Sequence, residues 1–115
     1  MVDATRLICE SSRLVEGGSG ARFDLHWGTK SLLAFAVRKN GKVHAYLNSC
    51  PHQGTELDWQ EGEFFDESTL YLICATHGAT FYPESGYCCA GPCKGRSLVK
   101  VAVEECDGHL YWLEP

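Results

Sequence analysis

No stretch of this 115-residue sequence is apolar for long enough to cross a bilayer, since a spanning helix needs about 20 such residues in a row. Met1 to Glu10 carries Asp3 and a lone Arg6 and lacks an apolar core, so it does not read as a secretory signal; a soluble protein in the cytoplasm is expected. Basic residues are scarce, 10 against 15 acidic, for a net charge of -5. That balance argues against nucleic acid or an anionic membrane surface and leaves another protein as the expected partner. Internal repeats, low-complexity tracts and linkers are absent, and the length suits a single domain, 1–115, with no room for a second core. An even cysteine number, the mark of a secreted disulfide framework, is also missing. Seven cysteines without an export signal make metal binding the first reading to test.

The patterning is all-β. Ala21 to Trp27 alternates, with Ala21, Phe23, Leu25 and Trp27 on one face and Arg22, Asp24 and His26 on the other, as a half-buried strand requires. Ser31 to Arg38 and Lys42 to Leu47 predict two further strands. Asn40-Gly41 joins them, and this dipeptide favours the type I′ hairpin turn, in which both central residues have positive φ. Thr69 to Ile73 is β-branched and aromatic and predicts a buried strand. Ser97 to Val103 and His109 to Leu113 flank Asp107-Gly108 as a second hairpin. Only Glu56 to Glu67 has the character of a short helix.

Two short segments carry the chemistry. Cys50-Pro51-His52 and Cys74-Ala75-Thr76-His77 each follow a predicted strand and each offer one sulfur and one nitrogen. Zinc takes a Cys2His2 set, but its usual spacing leaves two to four residues between paired ligands, whereas only Pro51 separates Cys50 from His52. A 2Fe-2S centre with two thiolates and two imidazoles uses the same four residues.

These loops, as Cys50-Pro51-His52-Gln53-Gly54 and Cys74-Ala75-Thr76-His77-Gly78, resemble those of the Rieske ferredoxins and Rieske domains. Phe81, Ser85-Gly86 and Gly91-Pro92 look like that family's third loop, a proline-containing segment over the cluster. The resemblance runs from about 31 to 113. It implies an all-β Rieske domain of small antiparallel sheets, with a cluster-binding subdomain over about 48–82. It also implies a Rieske-type 2Fe-2S cluster, with Cys50 and Cys74 on one iron and His52 and His77 on the other. The 21-residue spacer Gln53–Ile73 is longer than is usual in the family and reads as an insertion, which costs little because loop-closure entropy grows only logarithmically. Thr55 and Thr76 stand where respiratory Rieske proteins carry a disulfide, and Ala79 and Phe81 stand where those proteins carry hydroxyl donors. A potential near the low end of the Rieske range, about -150 mV, follows.

The function implied by resemblance is that of a carrier, not an enzyme: single electrons pass from a flavoprotein reductase to a terminal oxygenase. Two alternatives share the ligands: an accessory subunit resembling the nitrite reductase small subunit, and a redox-sensing or structural metal module. Cys9 and Cys106 read as buried or half-buried small apolar residues. Cys88 and Cys89, being adjacent, should face opposite ways on an extended segment, and with Cys93 they form a weak candidate for a second metal site. His26, His44 and His109 read as strand-face residues, and Trp27 and Trp112 as core. The insertion holds Glu56, Asp58, Glu61, Glu63, Asp66 and Glu67 with Trp59, Phe64 and Phe65. It reads either as a solvated acidic face or as an acidic rim with aromatic anchors for docking a basic partner.

Overall fold

The computed structural model describes residues 6–27, 29–49, 56–58, 60–74, 78–92 and 94–113. Nine strands appear among them: β1 Leu7–Glu10, β2 Ala21–Trp27, β3 Lys30–Lys39, β4 Lys42–Leu47, β5 Leu72–Ile73, β6 Thr80–Phe81, β7 Cys88–Ala90, β8 Val103–Cys106 and β9 His109–Trp112. They form three antiparallel three-stranded sheets, ordered β1-β9-β8, β2-β3-β4 and β5-β6-β7.

The middle sheet is covered on both faces, which explains why β3 reads as a nearly continuous apolar run. Because successive side chains point to opposite faces, Phe35 and Val37 of β3 and Tyr46 of β4 enter one core with Leu57, Phe64, Leu72, Cys74, Ala79, Phe81, Cys88 and Leu98. Ala34, Ala36 and Ala45 face the other way, into a second core with Ala21, Phe23 and Leu25 of β2 and Leu110 and Trp112 of β9. The first core underlies the β5-β6-β7 sheet and the second underlies the β1-β9-β8 sheet.

β2 alternates as expected, with Ala21, Phe23 and Leu25 buried and Asp24 and His26 exposed. The Asn40-Gly41 turn joins Lys39 to its partner Lys42 with φ of 55° and 75°, and Asp107-Gly108 joins Cys106 to His109 with 51° and 78°. Both are the positive-φ hairpin turns that the dipeptides predict.

Three expectations are corrected. Thr69 to Tyr71 is a turn, with Thr69 at φ 60° and Asp66 N donating to Tyr71 O, so β5 is only Leu72–Ile73. Ser97 to Ala102 is not a ladder strand. Leu98 N donates to Gly86 O, Leu47 N to Val99 O and Val101 N to Ala45 O, so this segment divides its bonds between two neighbours while Leu98 enters one core and Val101 the other. The ladder strand begins later, at Val103. Glu56 to Glu67 holds no helix among its described residues. Its C-terminal part instead lies along β5, with Phe65 bridging Leu72 and Ile73 N donating to Phe64 O at 2.8 Å. Phe64, stacked on Phe35 with centroids 4.0 Å apart, has a core position that outweighs any helical tendency.

Candidate functional site

Of the four candidate ligands, Cys74 is among the described residues, whereas Cys50, His52 and His77 lie outside them. Cys74 directly follows β5 and is fully buried. Its backbone closes a six-residue hairpin loop to β6: Cys74 N donates to Ala79 O and Gly78 N donates back to Cys74 O, both at 2.8 Å. Gly78 makes this return at φ 75°, in the left-handed region that suits a glycine. The thiol is therefore delivered at the end of a paired strand.

The other loop departs from the end of β4. Asn48 N donates to Leu33 O at 2.9 Å, and the loop rejoins the core at Leu57, which is fully buried in the same cluster of side chains as Cys74. The bases of both candidate loops thus rest on one apolar floor. The third segment closes over the second loop at Gly91: a Cβ there would lie 2.7 Å from Ala79 Cα, so only glycine permits this approach. Ala79 is buried at this contact and has no hydroxyl to offer. A buried thiol, a paired loop base and a glycine cradle fit a sulfur-ligated cluster shielded from water.

The remaining cysteines are placed differently. Cys9 is half-buried, as expected, and burial pushes its thiol up despite the nearby Arg13. Cys106 is exposed, which corrects the buried reading: it ends β8 at the Asp107-Gly108 turn, on the solvent side of an edge strand. Cys88 is buried with its Sγ directed to Ala90 O at 3.2 Å, while neighbouring Cys89 is half-buried beside Thr80 Oγ1 at 3.5 Å. They do face opposite ways. Among the described residues no group of three His, Cys, Asp or Glu side chains converges to hold a metal ion, and Cys93 lies outside them. His26 is exposed, and His44 and His109 are half-buried on strands. Trp112 is in the second core under the Arg6 guanidinium, 4.9 Å from its ring; the Trp27 side chain and all of Trp59 lie outside the described residues.

The acidic insertion also differs from expectation. Phe64 is a core residue and Phe65 packs against that core, so neither is an exposed anchor. Asp58 is buried, bonded to Asn48 and to Gly62 N, and its Oδ2 lies 3.6 Å from Arg22 Nε, while Arg22 also pairs with Glu56. The sequence holds no base inside the insertion, but the fold supplies one from β2, where Arg22 stands opposite Phe35 on the face toward the first core. Glu61, Glu63 and Glu67 remain exposed. No local signal marked Asn48 or Asp58, because their pairing joins residues that only the loop brings together.

A family model, Rieske [2Fe-2S] domain, matches residues 5–105. The structure is similar to Sphingomonas yanoikuyae B1 ferredoxin, with 20% identity over 95% of this chain and 97% of that one and a TM-score of 0.68. It is similar to the ferredoxin of carbazole 1,9a-dioxygenase from Nocardioides aromaticivorans IC177, with 20% identity, 92% and 93% coverage and a TM-score of 0.68. A chain in the reduced complex between oxygenase and ferredoxin in carbazole 1,9a-dioxygenase matches at a TM-score of 0.74 with 19% identity; the match takes in 92% of this chain but spans only 27% of that one. No curated protein sequence matches the chain. The family match reaches further toward the N-terminus than the motifs alone, taking in β1 and β2, and from it the chain belongs to the Rieske [2Fe-2S] domain family, whose cofactor is a Rieske-type 2Fe-2S cluster.

Proposed function

We propose that this chain is an electron carrier that takes single electrons from a flavoprotein reductase and delivers them to a terminal oxygenase in the cytoplasm. The observation that carries the reading is the family match across 5–105, which spans all four motif residues, with Cys74 presented as a buried thiol on a hairpin loop under Gly91. Cys50 and Cys74 would ligate one iron, and His52 and His77 the other. A 2Fe-2S cluster held there supplies a one-electron couple. The protein's own part is to bind it between two loop bases that share an apolar floor and to exclude water on the Cys74 side. The oxygenase partner is supported by the carbazole dioxygenase structures, in which a ferredoxin is in complex with the oxygenase. Free thiols at Cys9, Cys89 and Cys106 suit a reducing compartment, and among the described residues no helix is long and apolar enough to cross a membrane. The chain reads as one domain, 1–115, with its cluster-binding part at about 48–82, because the Ser97 to Ala102 thread bonds to β4 while its side chains enter both cores.

The test is iron and acid-labile sulfide content on anaerobically purified protein, with electron paramagnetic resonance before and after dithionite. About two of each are expected, with a signal only on reduction that disappears in Cys50→Ala and in His77→Ala. Stoichiometric zinc without sulfide would overturn the assignment. Voltammetry on the same sample should place the potential near about -150 mV, because Ala79 offers no hydroxyl to the cluster; a positive value would show that other donors stabilise the reduced state.

A further inference from the structure

The loop that carries Cys50 and His52 leaves the core at Asn48 and returns at Leu57 and Asp58. Across that base both ends of the Asn48 amide are bonded: Oδ1 accepts from Leu57 N at 2.8 Å and Nδ2 donates to Asp58 Oδ1 at 2.9 Å. The second oxygen of Asp58 accepts from Gly62 N at 3.0 Å and faces Arg22 Nε at 3.6 Å. Asn48 is 4% exposed and Asp58 7%. A carboxylate is costly to bury unless it is paired and bonded, and an apolar pair could close the same base by packing alone. Hydrogen bonds add direction. They set the register in which the two limbs of the loop meet, and Asn48 N bonded to Leu33 O ties one limb to β3.

We infer that Asn48 and Asp58 are positioning residues for the cluster: their side-chain clamp sets where the loop bearing two ligands leaves and rejoins the core, and so how that loop meets the iron. This rests on the ligand set proposed above. Partners outside the ligands of a metal site orient the ligands, and their loss typically lowers metal affinity or activity about 10–100-fold.

The test uses the cluster-loaded protein and reads two quantities: the rate of visible bleaching under a chelator, and the g-values of the dithionite-reduced state. Asn48→Ala should lose its cluster about 10–100-fold faster and shift the g-values. The exchanged pair, Asn48→Asp together with Asp58→Asn, can re-form all three bonds with the donor and acceptor reversed between the side chains, and it should recover both readings. Arg38→Gln is the control, since it removes guanidinium bonds to Leu14 O, Ser11 O and Glu105 toward the turn end of the β3–β4 hairpin. It should lower the thermal midpoint without moving the g-values. Should Asn48→Ala fail to fold, Asp58→Asn serves in its place: with its oxygen kept on Asn48 Nδ2, its amide nitrogen faces two donors, so it removes both the acceptor for Gly62 N and the carboxylate charge opposite Arg22 Nε at the base of the loop.

Unchanged bleaching and g-values in the clamp variants, or equal effects from Arg38→Gln, would overturn the inference while leaving the electron-carrier reading intact. Wild-type protein that never holds iron and sulfide would overturn both.

Discussion

Tyr46 shows how single residues hold the first core together. Its ring lies in the first core against Phe35, with centroids 6.0 Å apart, and its hydroxyl donates to Pro83 O at 2.6 Å. Burial pushes the phenol up to about 12. A raised phenol contributes stability that is whole below its ordinary 10 and is lost as pH rises through the folded value. Tyr46→Phe removes the donor from Pro83 O, and urea unfolding should show a loss of about 1–3 kcal/mol. Gly86 presses on the same ring at φ 76°, and a Cβ there would lie 2.7 Å from Tyr46 Cε1. Gly86→Ala meets both the left-handed backbone cost, about 1–2 kcal/mol, and overpacking, about 1–3 kcal/mol. It should therefore be the more damaging of the two changes; the reverse order of urea midpoints would mean that the segment moves aside freely.

At the scale of elements, the β3–β4 hairpin carries a brace from outside itself. The Glu16 carboxylate accepts from Asn40 N at 2.6 Å and Gly41 N at 2.8 Å, while Gly17 N donates to Arg38 O. Those two backbone donors hold the Glu16 carboxyl below its ordinary 4.5. A lowered carboxyl contributes stability that is present above 4.5 and is lost as pH falls through the folded value. In an NMR titration the Asn40 and Gly41 amide protons should move together below pH 4.5, and Glu16→Gln should flatten both curves. Independent movement of the two amides would mean that they do not share one acceptor. The turn itself was legible in the sequence because positive φ at both positions is a local demand. The brace was not, since Glu16 lies 24 residues from Asn40.

Over the whole molecule, the charge of -5 is left for the surface to express once Asp58 is buried and Arg22 is paired. Exposed Glu61 and Glu67 remain on the insertion between the two candidate ligand loops. Encounter with a basic redox partner should slow as salt rises, because the screening length is only about 10 Å at 0.1 M. In stopped-flow reduction at low ionic strength, the double variant Glu61→Gln with Glu67→Gln should react more slowly and depend less on salt than the wild type. Rates and salt slopes equal to wild type would assign this face to solvation alone.

What the sequence by itself determined is what local chemistry demands: the alternation of β2, the apolar run of β3 and its hairpin partner β4, two Gly turns, the pair of Cys/His loops and their family. These depend on residues a few positions apart, whose side-chain types permit little else. Tertiary structure alone decided the rest. Two-residue β5 exists only because Phe81 and the returning Phe65 pair with Leu72. The acidic insertion is partly core because Phe64 finds Phe35 and Asp58 finds Arg22 and Asn48. A carboxylate's preference for water is overturned only when donors on other segments are already fixed in place, and no local sequence pattern can say that they are.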